Sequence, residues 1–296
     1  MEGISETSAA VDPPIEVAAP TAQSRALVCA SPHSGTRYPA EFLAASRLDP
    51  LTLRRSEDSF VDEIFEGALA LGAPLLSAQF PRAYLDPNRE PFELDPQMFE
   101  DALPSYVNSR SPRVQVGLGT IARVVATGEE IYARKLRFAD AMSRIERLYR
   151  PYHRVLRQLL AATCDRFGGY LLLDCHSMPS SAGPGEREMK RGGIDMVLGD
   201  CHGTSCHPLF TERAQRVLSA KGYRVARNTP YAGGFTTSHY GAPASGRHCL
   251  QVEINRAIYM DERSIDRKPA LHQLAQDMLD LMGELTELEP HRLAAA

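Results

Sequence analysis

Tyr170-Leu171-Leu172-Leu173-Asp174-Cys175-His176-Ser177 is the stretch whose reading decides the fold. Its apolar residues run without a break instead of alternating with polar ones, which marks a central strand covered on both faces. The run terminates in Asp-x-His. A carboxylate and an imidazole at the end of a buried strand are costly to desolvate unless they are paired or hold a metal. Side chains alternate along a strand, so Asp174 and His176 share one side, and the acid can orient the imidazole from behind. His176 is therefore read as a metal ligand and Asp174 as its supporting partner.

Outward from this strand, further short apolar runs at 26–30, 75–80, 114–118, 196–198, 223–226 and 249–254 read as strands. Between them lie amphipathic stretches with helical spacing. Ser56 is expected to cap a helix reaching about residue 71, with Glu57 and Asp58 in its first turn. A long helix is expected over 129–164, interrupted by Pro151, and two more at 208–220 and 268–285. Strands alternating with helices imply an α/β fold: a three-layer α/β/α arrangement around a central mixed, mostly parallel sheet. Residues 1–24, rich in Ala, Pro, Glu, Ser and Thr, are expected to form a loose tail, and 25–290 one catalytic domain. Two stretches resist assignment, 88–112 with its four prolines and 177–193 with its Ser, Pro, Gly and charge; loops of that length are candidate walls of a site.

The 296 residues carry a formal charge of −4 and no Lys/Arg tract interleaved with aromatics, which argues against nucleic acid as a partner. No apolar run approaches the ~18 residues a membrane span needs, and the first residues lack a basic start followed by an apolar core. Six scattered cysteines without a CxxC pair read as reduced thiols, so a cytoplasmic protein is expected. The sequence specifies no oligomeric state.

Polar residues gather where strands end, the edge at which open α/β sheets place their ligands. His33 leaves the first strand in a turn shaped by Pro32 and Gly35. A hydrogen-bonded loop histidine is the plain account; a metal ligand is the other. The Glu57–Asp58 pair offers a third ligand, one acid or the other, and two imidazoles with one carboxylate leave zinc an open position for water. In Leu250-Gln251-Val252-Glu253-Ile254-Asn255-Arg256, the two polar residues Gln251 and Glu253 share a face. They fit either a solvent-facing edge strand or a carboxylate placed to take a proton from an activated water. Arg256 next to it could bind a substrate carboxylate. Cys201-His202…Cys206-His207 has the wrong spacing for a structural zinc site and no second pair. Cys175 shows no sign of a lowered thiol pKa, and the Ser205 segment lacks a nucleophile elbow.

Taken in order, SPHSG (31–35), ED before a hydrophobic pair (57–61), DPNR (86–89), RPYHRVL (150–156), LLDCHS (172–177), GTSC (203–206), AGGFTTSHYG (232–241) and LQVEIN (250–255) resemble the N-formylglutamate amidohydrolase family over roughly residues 26–262. That resemblance implies a zinc-carboxypeptidase-like fold and hydrolysis of N-formyl-L-glutamate at the end of histidine degradation. It implies one Zn2+ per chain, or another divalent ion, on His33, Asp58 and His176, with Glu57 as the alternative acid. It also implies Glu253 as the general base and Asn88 with Arg89 as the grip on a substrate carboxylate. His239 and Tyr240 would line the pocket or stabilise the oxyanion, while His153 fits a buried structural hydrogen bond at least as well as a catalytic role. The expected partner is a small acidic N-acyl amino acid. Residues 90–125 and 178–200 depart from the family pattern, so hydrolysis of another N-acyl amino acid or a short peptide is the nearest alternative reading. A catalytically silent small-molecule binding protein is the alternative from a different class.

Overall fold

The computed structural model describes residues 11–125, 127–181 and 193–294. A seven-stranded mixed sheet is flanked by helices. Its strands are β1 (Ile15–Ala18), β2 (Leu27–Ser31), β3 (Leu75–Ala78), β4 (Tyr170–Met178), β5 (Met196–Gly199), β6 (Val225–Arg227) and β7 (Arg247–Asn255), in the order β1-β3-β2-β4-β7-β5-β6. Parallel pairing joins β2 to β4, β4 to β7 and β5 to β6, whereas β5 runs antiparallel to β7. By contact density the chain also divides into two compact units. One comprises Pro32–Ser59 and Ser77–Val155 with the residues up to Glu16; the other comprises Val17–Ser31, Phe60–Leu76 and Leu156 onward.

In the second unit the sequence period sets the layering. Leu27 and Cys29 of β2, Leu171, Leu173 and Cys175 of β4, and Leu250, Val252 and Ile254 of β7 are alternate residues of their strands, and all join one buried cluster. Leu75 of β3 and Met196 and Leu198 of β5 join it, as do three helical elements: α3 (Val61–Ile64) with the turn after it, α7 (Pro208–Ala220) and α9 (Ala270–Thr286). Along α9, Leu271, Leu274, Met278, Leu281, Met282 and Leu285 recur every three or four residues and are buried. The short helix α8 (Phe235–Tyr240) packs on β7 and β4 through the residues these strands turn away from that cluster. No helix among the described residues is long and apolar enough to cross a membrane.

The first unit holds the short helices α1 (Ala40–Ala45), α2 (Pro50–Arg54) and α4 (Pro112–Gln115). It also holds α5 (Phe138–Arg144), a π-helical turn over Ile145–Tyr149 and the start of α6 (Arg150–Phe167). Pro151 does not break this helix. It lies just past the π turn, where wider winding relieves the clash between a proline ring and the carbonyl four residues earlier.

Several boundaries differ from the sequence reading. The segment taken as a tail contains β1, and Gln79 donates its N–H to Pro14 O at 2.9 Å. The expected strand at 114–118 is the helical turn α4, because Ser111 caps it by accepting from the Val114 N–H and Pro112 opens it. The helix expected from Ser56 begins only at Val61. Phe60 has φ 67° and cannot sit inside a helix, and the Asp58 N–H bonds to His33 O at 3.0 Å, so the acid pair lies in the turn before α3. The long helix starts at Phe138, not 129. Strand β4 runs on through His176 to Met178, its ladder with β7 unbroken as far as Met178 opposite Asn255. Most of the expected 177–193 loop lies outside the described residues.

Because Leu281 is fully buried between the sheet and its neighbouring helices, Leu281→Ala should cost ~2–5 kcal/mol through lost transfer energy plus a cavity. Urea denaturation with an unchanged slope would register it as a lower midpoint.

Candidate active site

Around His33 the chain builds a compact charge cluster. His33 Nε2 lies 2.7 Å from Asp86 Oδ1, and Nδ1 lies 3.2 Å from Asp58 Oδ2. Asp86 also accepts from the Asn88 N–H at 2.8 Å and from Arg82 Nη2 at 2.9 Å, with Arg89 Nη2 at 3.6 Å. Arg82 Nη1 is 3.9 Å from Asp58 Oδ1. His33, Asp58, Asp86, Asn88 and Arg89 are all buried. Burial opposes ionisation of Asp86, but His33, Arg89 and Arg82 together hold its carboxyl well below the usual carboxylate range.

These distances constrain what His33 can hold. A neutral imidazole has one N–H, and the 2.7 Å contact spends it on Asp86. The Nδ1 lone pair then faces Asp58 Oδ2, two acceptors 3.2 Å apart. A cation, proton or metal ion, is needed between them. One ligand atom from each of His33, Asp58 and His176 lies within 4.8 Å of the others, and all three residues are buried. Among the described residues no other group of three His, Cys, Asp or Glu side chains is placed to hold an ion. Two imidazoles and one carboxylate are a donor set that divalent transition metals favour, so the residues fit a metal.

Glu57 is otherwise engaged. Its carboxylate accepts from Tyr38 Oη at 2.8 Å, Ser59 Oγ at 2.8 Å and Arg54 Nε at 3.1 Å, and burial raises its pKa against the pull of Arg54. Adjacent residues thus divide the work: Glu57 ties down the turn, and Asp58 faces His33.

On β4 and β7 the register sets Asp174 opposite Gln251 and His176 opposite Glu253. All four side chains share one face of the sheet, turned from the apolar cluster. His176 Nε2 lies 3.0 Å from Asp174 Oδ1, and Gln251 Nε2 donates to Glu253 Oε1 at 3.0 Å. The edge-strand reading of Gln251 and Glu253 does not hold. β7 is interior, between β4 and β5, and both side chains are buried. Arg256, just past the end of β7, donates from Nε to Ser177 Oγ at 3.1 Å and so sits by the carboxyl end of β4.

The 232–241 segment presents to the polar row a different residue from the two singled out in its sequence. The Tyr170 hydroxyl, at the beginning of β4, donates to Tyr240 O at 2.7 Å. Burial lifts the Tyr240 phenol to about 12, with Arg157 beside it opposing. The Tyr240 carbonyl therefore lies beside the beginning of β4, one helical turn past Thr237. His239 is exposed and stacks on Phe235 at 4.7 Å. The residue of this helix that meets the polar row is Thr237, whose Oγ1 lies 3.2 Å from Asp174 Oδ2 and 3.4 Å from Gln251 Oε1. Arg89 is likewise more structural than expected, donating to Leu118 O and Asn88 O, while Tyr149 Oη donates to Arg89 O. His153 makes the structural bond, Nε2 to Pro87 O at 2.8 Å. Arg82 and Asp86 join the His33 cluster without a sequence signal of their own beyond the DPNR motif that Asp86 opens.

The N-formylglutamate amidohydrolase family model matches residues 25–260. The chain belongs to the N-formylglutamate amidohydrolase family. The N-formylglutamate deformylase of Pseudomonas putida is 29% identical over 240 residues, covering 80% of this chain and 82% of that one. Its Pseudomonas aeruginosa counterpart is 28% identical over 243 residues, covering 80% and 83%. The crystal structure of N-formylglutamate amidohydrolase from Ralstonia eutropha JMP134 aligns over 95% of this chain and 97% of that one, with a TM-score of 0.83 and 38% identity. The Agrobacterium tumefaciens gene product Atu2144, at 18% identity and a TM-score of 0.65, shares the fold. This N-formylglutamate amidohydrolase family member thus carries its polar cluster on the fold of the Ralstonia amidohydrolase.

Removing the carboxylate that serves His33, Arg82 and Arg89 should be expensive. Asp86→Ala in metal-free protein is expected to lose ~3–5 kcal/mol near neutral pH, the cost of stripping one partner from a buried charge pair. A group whose folded pKa is depressed stabilises above its unfolded value, ~3.9 for Asp, and loses that stabilisation as pH falls through the folded one. The gap between wild type and variant in urea melts should therefore narrow only below about pH 4.

Proposed function

We propose that this chain is a zinc-dependent amidohydrolase that removes the formyl group from an acidic N-formyl amino acid, with N-formyl-L-glutamate as the first substrate to test. The observation that carries this reading is the buried His33, Asp58 and His176 group, with Glu253 held in register beside His176. The names of the Pseudomonas and Ralstonia relatives supply the substrate. The six free cysteines agree with a cytoplasmic setting, and histidine degradation is a route that would generate such a substrate.

Zinc held by His33, Asp58 and His176 would polarise the formyl carbonyl and acidify a water molecule. The chain's own residues do the rest. Asp86 hydrogen-bonds the His33 ring and Asp174 Oδ1 lies 3.0 Å from the His176 ring, so each imidazole has a carboxylate behind it. Glu253 accepts the proton of the attacking water and passes it to the departing nitrogen, so the C–O bond forms as the C–N bond breaks and formate and glutamate leave. Arg256, anchored by Ser177 at the carboxyl edge, receives a substrate carboxylate, and Asn88 with Arg89 receives the other.

His176→Ala should lose both bound metal and turnover. Glu253→Gln should keep stoichiometric metal but lose ~10²–10⁴ in kcat, the usual contribution of a positioned acid–base group. Metal analysis and a formate-release assay check both, and near wild-type turnover by Glu253→Gln would refute the base. Assayed in parallel, N-formyl-L-glutamate should outpace N-acetylglutamate, N-succinyl amino acids and short peptides in kcat/KM. Faster cleavage of any of these reassigns the substrate, and metal without turnover on any amide marks a binding protein.

A further inference from the structure

The strands and α8 share a hydrogen-bond relay behind the polar row. Gln251 Nε2 donates to Glu253 Oε1 at 3.0 Å. The amide cannot be turned round without setting its oxygen against the carboxylate, so its Oε1 points back toward α8. There Thr237 Oγ1 stands 3.4 Å from Gln251 Oε1 and 3.2 Å from Asp174 Oδ2, and accepts from the Gly234 N–H at 3.2 Å. Both of its other neighbours are acceptors, so the single hydroxyl proton is shared between the residue behind Glu253 and the residue behind His176. Gln251 is 3% exposed and Thr237 0%. Water does not compete for these bonds.

The turn before α8 is shaped for this contact. Gly233 has φ 138°, and a Cβ there would lie 2.6 Å from Cys201 Sγ and 3.1 Å from the Thr237 side chain. Only glycine brings the chain close enough to seat Thr237 on the row. The segment thus has a task that neither His239 nor Tyr240 performs.

We infer that Gln251 and Thr237 are positioning residues for Glu253. Gln251 holds Oε1 and aims the other carboxylate oxygen at the reacting water, and Thr237 fixes the amide while tying it to Asp174. This rests on the reading of Glu253 as the general base. A carboxylate without this hydrogen bond would bind substrate equally well but spend less time aligned for proton transfer, so the loss falls on kcat and not on KM.

The test uses the metal-loaded enzyme. Gln251→Met keeps length and burial without the donor and should lower kcat ~10–100-fold, the range for losing an orienting hydrogen-bond partner. KM and metal content should stay near wild type, while the melting temperature falls modestly because a buried carboxylate loses a donor. Thr237→Val should lower kcat in the same way, and Thr237→Ser, which restores the hydroxyl, should recover it. A Gln251→Met enzyme within about twofold of wild-type kcat, while Glu253→Gln is dead, overturns the relay and leaves the base intact. Active Glu253→Gln overturns both. Should Gln251→Met fail to fold, the Thr237 pair decides: equal kcat for Val and Ser refutes the proposal.

Discussion

Everything at this site follows from one constraint: a strand buried on both faces carries a carboxylate and an imidazole into the interior. All nine residues of β4 are buried, Asp174 and His176 among them. Neither group can rely on water, so each must find partners in the protein or in a bound cation. The alternation of the strand puts both on the face away from the apolar cluster, and the parallel register with β7 lays Gln251 and Glu253 alongside. Four polar side chains thereby occupy the middle of a sheet whose other face joins the apolar cluster through Leu171, Leu173, Cys175, Leu250, Val252 and Ile254.

The cluster around His33 meets the same demand by different means. Asp86 collects an imidazole, a backbone N–H and two guanidinium groups, so one buried negative charge serves several donors. The contrast between Glu57 and Asp58 is instructive. Two adjacent carboxylates are both buried, yet one is saturated by Tyr38, Ser59 and Arg54 while the other is aimed at an imidazole nitrogen. What each carboxylate faces is set by which way its side chain leaves the turn, and that turn is fixed by the left-handed Phe60 and the Asp58 N–H bond to His33 O.

Glycine at 233 and the N-terminal turn of α8 show how a motif can matter through a residue other than its most reactive one. Histidine and tyrosine attract attention in AGGFTTSHYG, but Tyr240 settles against Tyr170 and Arg157 and His239 stacks on Phe235. The small hydroxyl between them and the glycines reaches the polar row. Helix direction explains the choice: a helix this short presents one turn to the sheet, and Thr237 lies on that turn.

The sequence alone determined the α/β class, most of the strands, the two late helices and the polar residues at the strand ends, because each is written in local periodicity or in a run of one residue type. Asp174, His176 and Glu253 were legible for that reason. It could not determine that Asp86 and Arg82 join the cluster, that Glu57 is spoken for, or that Thr237 displaces His239 and Tyr240 at the row. Those outcomes depend on partners far apart in the chain, such as Thr237 with Asp174 63 positions away and His33 with Asp86 53 positions away. Only the tertiary structure decided them, since a side chain's partner inside a protein is fixed by register and backbone direction, which no local pattern encodes.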